Sequence, residues 1–332
     1  MTLSELILVY TRRCTARCKV CGNSSSPESV EKMDLNTALR WVDEAAEVEH
    51  LDVLGITGGE PLLFFDEVTQ IIRRATTQGL NTKLVTNAFW GTTQADAHRR
   101  LNILRTAGLG AITVSTDSYH QEFVSMRNVV NVIKAASQCG MIRAVAFLQG
   151  IRRRAPIEEL ISAPELKDEQ FLLLSDLSAS EARALADRLF QHKESLATKT
   201  LIREAFVIEA GRASAEDVCY VPKEAIESAP CRDAGTVRAI LPSGEVLRCC
   251  SVVAFDNPDF VIANAASRGL LSVLREGSED ILTHMLATYG PCQIAKYLEH
   301  RGCFFLGRYS GACHLCADVL RRLRGVEGGL NC

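Results

Sequence analysis

The chain has 332 residues, 47% of them hydrophobic, with 37 Lys and Arg against 40 Asp and Glu for a net charge of −3. That size and apolar fraction will fill one large α/β domain with an appendage, or two domains. The near balance of charge excludes a strongly basic nucleic-acid surface, and no apolar run approaches the roughly 20 residues of a membrane span, so neither nucleic acid nor membrane is an expected partner.

Thirteen cysteines follow an N-terminus, MTLSELILVYTRR, with no charged n-region, apolar h-region or small-residue cleavage site. The chain therefore reads as cytoplasmic. In that compartment clustered cysteines bind metal or do chemistry more often than they pair.

Through the first 150 residues, short β-rich runs alternate with helical patterns. ELILVYT (5–11) precedes a cysteine loop and a helix at 35–48; LDVLGIT (51–57) precedes Gly-Gly-Glu-Pro and a helix at 65–79. NTKLVTN (81–87) leads to a helix at 94–108, GAITVST (110–116) to one at 121–140, and IRAVAFLQ (142–149) follows. Such alternation predicts parallel strands with crossover helices, an α/β barrel or open sheet whose ligands gather at the strand C-terminal ends. The segment 151–200, with its helical stretch SASEARALADRLF, reads as an insertion before a sixth strand at 204–213. Beyond 214 the pattern changes to a cysteine-rich module, in which TVRAILPSGEVLRCC predicts a β-hairpin turning at Pro242-Ser243-Gly244-Glu245.

Every chemically suggestive feature of the first part falls at one edge. The cysteines follow the first strand, Gly58-Gly59-Glu60-Pro61 the second; Thr86-Asn87 end the third and Ser115-Thr116-Asp117 the fourth. Thiolates are the usual ligands of iron-sulfur clusters. Cys14-x3-Cys18-x2-Cys21 supplies three to a cubane of four irons, leaving one iron open to a substrate or cofactor.

These motifs resemble those of the radical S-adenosylmethionine (radical SAM) enzymes over residues 5–213, although Val20 stands where that superfamily often has an aromatic residue. The resemblance implies a partial (β/α)6 barrel over 1–213. Its 4Fe-4S cluster would be held by Cys14, Cys18 and Cys21, with S-adenosylmethionine on the unique iron. Gly58 and Gly59 would let backbone approach the cofactor, Glu60 would accept from its ammonium, and Thr86, Asn87, Ser115 and Asp117 would line its carboxylate and ribose end. Reduction of the sulfonium would yield a 5'-deoxyadenosyl radical that abstracts an unactivated hydrogen, with an external donor such as flavodoxin or ferredoxin supplying electrons.

Cys231, Gly244 and Cys249, with Cys313-x2-Cys316, resemble the twitch-type auxiliary-cluster domain, here 214–332, which implies a second 4Fe-4S cluster. A zinc ribbon uses the same residue types. Neighbours on a strand point to opposite faces, so one of Cys249 and Cys250 binds the cluster and the other faces away, as a structural thiol or a hydrogen-atom donor. The Gly-x4-Cys count makes Cys249 the ligand. Resemblance to the twitch-type epimerases of aminoglycoside biosynthesis implies the reverse, Cys249 as catalytic donor and Cys250 as ligand, and that assignment is followed here. It further implies inversion of C5''' of neomycin C. Competing expectations are an aminocyclitol dehydrogenase, which needs no donor thiol, and a peptide-modifying maturase.

A polycationic substrate calls for carboxylates and aromatic tips, for which Tyr119, His120, Glu122, Glu209 and Asp233 are the candidates. Arg152-Arg153-Arg154 reads as a solvated charge run, and Cys139, Cys219, Cys292, Cys303 and Cys332 as structural or incidental.

Overall fold

The computed structural model describes all residues except 1, 152, 154, 178–180, 182–184, 186–189, 191–192 and 328–332. Most of the helical stretch expected at 178–190 lies outside the described residues, as do Arg152, Arg154 and Cys332. Strands β1 (Glu5–Thr11), β2 (Val53–Gly58), β3 (Asn81–Thr86), β4 (Leu109–Ser115) and β5 (Ile142–Gln149) pair in parallel in chain order. Helices α1 (Leu35–Ala46), α2 (Phe65–Thr77), α3 (Gln94–Ala107) and α4 (Met126–Gln138) cross between them, close to the expected bounds. Asp34, Thr93 and Ser125 cap α1, α3 and α4 by accepting from backbone N–H groups of the first turn.

The sixth position departs from expectation. The strand is β7 (Lys199–Phe206), because the segment KTLIREAF, which overlaps EAFVIEAGRA only at 204–206, is the one that pairs with β5. The insertion adds β6 (Gln170–Leu173) outside β7, so the parallel order ends β5-β7-β6. β8 (Val221–Pro222) pairs with the distant β12 (Arg308–Tyr309) in a separate ribbon.

The expected hairpin is β9 (Val237–Ile240) with β10 (Glu245–Leu247). Its turn is one residue earlier than predicted, closed by Gly244 N–H donating to Leu241 O at 2.9 Å with Gly244 at φ +90°. β9 pairs in parallel with β1, and β11 (Val261–Asn264) completes one ten-stranded sheet. The cysteine module is thus joined to the barrel strands by backbone hydrogen bonds.

Successive helices α1 to α4 pack side by side, so one face of the sheet is covered by them. Leu6, Leu8, Leu54, Ile56, Leu84 and Val114 are buried there against Trp41, Ile71 and Leu101. Alternate residues Ile7, Thr57, Val85, Thr113, Ala144 and Ala146 face the other way and are only part-buried. Small side chains on that inner face are confined to positions such as Ser115, Ala144 and Ala146 on β4 and β5. A second core joins α6 (Ile281–His300) and α7 (Ala312–Glu327) to the hairpin through Leu247, Phe260, Leu286 and Leu315, while α5 (Leu270–Glu279) packs on α1.

Candidate active site

The cysteine loop leaves β1 and is tied down at several points. Cys14 N–H donates to Ser26 O at 3.0 Å and Cys21 N–H to Cys18 O at 3.2 Å. From beyond β7, the Arg212 guanidinium donates to Cys18 O and Ser25 O at 2.7–3.0 Å, and its N–H reaches Cys21 O at 3.1 Å. The loop thus closes the ring of strand ends from both sides. Burial, with the neighbouring thiols, pushes Cys14 up to about 11 and Cys18 up to about 12. Thiols so disfavoured as bare thiolates lose their protons to a metal centre that supplies positive charge. Ala16 N–H at 3.4 Å and the Asn87 amide at 3.7 Å donate toward Cys14 Sγ, favouring a negatively charged sulfur. Three soft ligands in one partly buried loop fit an iron-sulfur cluster by their chemistry.

The Gly-Gly-Glu-Pro turn serves that loop. A Cβ on Gly58 would lie 2.3 Å from Thr11 O, and one on Gly59 2.3 Å from Arg13 O. Gly59 N–H donates to Thr11 O at 2.6 Å and Glu60 N–H to Arg13 O at 2.8 Å. The close approach these glycines permit is therefore to the backbone at the end of β1. Expectation needs correcting at Glu60, which is fully buried. Its oxygens accept from Leu62 N–H, Asn87 N–H and the Thr86 hydroxyl at 2.7–3.0 Å, so it staples β2 to β3 and offers no free edge to an ammonium.

Desolvation outweighs those hydrogen bonds and raises the Glu60 carboxyl from 4.5 to about 7. A carboxyl raised on folding contributes stability that is present in full below its unfolded value and is lost as pH rises through about 7. Glu60→Gln should therefore flatten the fall in urea-unfolding free energy between these limits, by at most about 3 kcal/mol. An unchanged slope would mean that Glu60 titrates as it does in the unfolded chain.

Asp117 requires a similar correction. It is fully buried and accepts from Tyr119 N–H, His120 N–H and the His120 ring at 2.8–3.0 Å, capping the turn after β4 and leaving no ribose contact. Thr86 is buried with Glu60, and Asn87 bridges to Thr15 at 3.0 Å as well as to Cys14. Ser115 stays part-exposed on the inner face.

In the second module, burial and the charges of neighbouring thiols push Cys249 and Cys316 far up. Cys249 feels Cys250, Cys313 and Cys231, and Cys316 feels Cys249, Cys231 and Cys313. Cys250 packs against the same core as Cys231, Cys249 and Cys313. The charged groups around it are Asp233, Glu5, Lys83 and Arg203, three of them on barrel strands. Both cysteines of the doublet thus pack on the core that holds Cys231, Cys313 and Cys316, and Cys250 also meets the charges of the barrel strands.

Two buried arginines set that arrangement. Arg238 donates to Arg248 O and Gly277 O, each at 2.7 Å, and Arg248 makes a bidentate pair with Asp280 at 2.9 Å, fixing the backbone just before the doublet. Among the described residues no group of His, Cys, Asp and Glu side chains converges on a single metal ion.

The substrate candidates do not converge. Tyr119 is buried under Arg153, whose guanidinium lies 4.7 Å from its ring. His120 is engaged by Asp117, Glu122 pairs with Arg153, and Glu209 accepts from Tyr220 beside His314. Asp233 is exposed and is the one of the five beside Cys250. Arg203 and Arg212 were missed, since a lone arginine at a strand end carries no spacing signal.

Residues 8–154 match the model of the Radical SAM superfamily. A stretch of 125 residues, 37% of this chain and 38% of the relative, is 31% identical to "Putative peptide biosynthesis protein YydG" of Bacillus subtilis (strain 168). The chain thus spans under two fifths of that relative's length. Streptococcus suis SuiB bound to precursor peptide SuiA shares the fold at TM-score 0.56 and 17% identity, over 87% of this chain and 67% of that one. Native anSMEcpe with AdoMet and a peptide does so at 0.52 and 12%, over 99% of each. With the cysteine loop and its Gly-Gly-Glu-Pro brace on parallel strand ends, this match identifies residues 8–154 as a radical SAM domain, of a superfamily that uses a 4Fe-4S cluster and S-adenosylmethionine.

Proposed function

We propose that this enzyme is an epimerase in which Cys250 returns the hydrogen atom. The observation that carries the reading is the doublet itself, with both thiols on the core of Cys231, Cys313 and Cys316 and Cys250 also meeting charges of the barrel strands. In this reading Cys14, Cys18 and Cys21 hold the cluster in a unit of 1–213, with Thr86, Asn87 and Ser115 nearest the cofactor. Cys231, Cys249, Cys313 and Cys316 hold a second 4Fe-4S cluster in a twitch-type unit of 214–332. When bound, the first cluster and S-adenosylmethionine supply the radical chemistry that removes a hydrogen atom from an unactivated carbon.

Cys250 then gives its S–H hydrogen to the opposite face of that carbon. One C–H bond forms, one S–H bond breaks, and a sulfur-centred radical remains on Cys250. One electron and one proton restore the thiol, the electron coming through the second cluster from an external donor such as flavodoxin or ferredoxin. A dehydrogenase would leave Cys250 without a role.

For the substrate, the resemblance to aminoglycoside epimerases points to C5''' of neomycin C, a step of antibiotic biosynthesis. A peptide is the second reading, favoured by the similarity to YydG and by the peptide-bound fold relatives. The test is anaerobic turnover of reduced enzyme in deuterated water with neomycin C or with candidate peptides, read by mass spectrometry and NMR. One solvent deuterium at an inverted centre is the expected result; a product two hydrogens lighter would overturn epimerisation.

A further inference from the structure

Asn87 directly follows β3, and its side chain is held in one orientation. The carboxamide oxygen accepts from Phe89 N–H at 3.0 Å, which leaves Nδ2 as the end that faces the cysteine loop. Nδ2 donates to the Thr15 hydroxyl at 3.0 Å and lies 3.7 Å from Cys14 Sγ, an ordinary length for a hydrogen bond to sulfur. The backbone beneath it is fixed as well, Asn87 N–H donating to Glu60 Oε2 at 2.7 Å. Ala88, next in the chain, is fully buried at φ +63°, a left-handed conformation that a residue with a Cβ keeps only where its surroundings compel it. Asn87 itself is 5% exposed, which limits competition from water for the amide. Among the described residues it is the one side chain that donates to a sulfur of Cys14, Cys18 or Cys21; the other donor, Ala16 N–H at 3.4 Å, is backbone.

A thiolate ligand carries more negative charge when its cluster is reduced, so a donor held against it stabilises the reduced state more than the oxidised one. We propose that Asn87 is a positioning residue whose amide, held against the Cys14 sulfur, raises the reduction potential of the cluster on that loop and so widens the range of one-electron donors able to reduce it. This rests on the reading that Cys14, Cys18 and Cys21 hold the cluster and on no part of the epimerase chemistry. A purely structural Asn87 would tie the end of β3 to Thr15 and leave the potential where it stands.

The test needs no turnover. Anaerobic redox titration of the enzyme with its clusters, followed by electron paramagnetic resonance, reads the potential directly, and the signal that S-adenosylmethionine alters is that of the first cluster. Asn87→Leu, which removes the donor at similar volume, should lower the equilibrium constant for reduction about ten-fold, or about 59 mV for one electron. Asn87→Asp keeps an oxygen for Phe89 N–H and sets another against the sulfur, so its potential should fall at least as far. Thr15→Val removes the hydrogen bond between Asn87 and Thr15 but leaves the amide beside Cys14, and should keep the wild-type potential or raise it. Iron and sulfide contents equal to wild type show that the loop still holds its cluster.

Equal potentials in wild type, Asn87→Leu and Asn87→Asp would overturn the proposal, as would an equal fall in Thr15→Val, which would trace the effect to the hold on the loop. Loss of the first cluster from both Asn87 variants would overturn it too, since the residue would then keep the loop together and tune nothing. Failure of the cluster reading would appear separately, as an iron content unchanged by Cys14→Ala.

Discussion

Cys250→Ala should keep its full iron and sulfide content and still cleave S-adenosylmethionine to 5'-deoxyadenosine, yet form no inverted product, a loss of at least about 100-fold. Cys249→Ala should instead lose about half of the iron, because a cubane deprived of one of four thiolates is no longer retained. The contrast follows from the proposed roles: both sulfurs pack on one core, where Cys249 meets Cys250, Cys313 and Cys231, while Cys250 meets Asp233, Glu5, Lys83 and Arg203. Iron analysis beside product analysis of the two variants separates ligand from donor. The opposite pattern, iron lost from Cys250→Ala and retained in Cys249→Ala, would restore the assignment drawn from resemblance alone.

Gly59→Ala should destabilise the protein by about 3 kcal/mol and abolish S-adenosylmethionine cleavage. The new methyl group would meet Arg13 O at 2.3 Å and Arg12 O at 2.9 Å, both backbone atoms that cannot rotate away. Relief of that overlap requires the turn to lift from β1, breaking the hydrogen bonds from Gly59 N–H to Thr11 O and from Glu60 N–H to Arg13 O. The cysteine loop, which starts at the next residue, would lose its brace. Gly307→Ala is the matched control, since a Cβ there meets nothing within 4 Å, and its unfolding midpoint should stay within a few degrees of wild type. Equal stability and equal activity of Gly59→Ala and Gly307→Ala would show that the turn is not what holds the loop.

Much of the barrel was legible because its signals are local. β-branched runs and 3.6-residue periodicity placed β1 to β5 and α1 to α4 within a few residues, and turn residues placed the hairpin within one. The edge shared by the cysteines, the Gly-Gly-Glu-Pro turn and the Thr86-Asn87 end followed from strand polarity alone. The sixth position was misread because VIEAGRA has strand-like composition while its partner is chosen by pairing with β5, an interaction between distant segments. Glu60 and Asp117 were read as ligand contacts because a carboxylate in a motif suggests recognition. Which way a carboxylate points depends on backbone donors from other strands, and here those donors bury both.

By itself the sequence determined the chemistry available: three thiolates at the end of a first parallel strand, a glycine turn after the second, and four or more thiols in a later module. Those are matters of residue type and spacing, which chain connectivity preserves. Only the tertiary structure decided the face on which each group of the doublet lies and the charges it meets there. Pairing of β9 with β1 and the buried Arg238 and Arg248 hold the chain that leads into the doublet, which packs on the core shared with α7. The physical reason is that β10 ends at Leu247, so the doublet, expected on a strand, sits in the loop beyond it, and its side-chain directions follow from the partners packed against it and not from strand alternation.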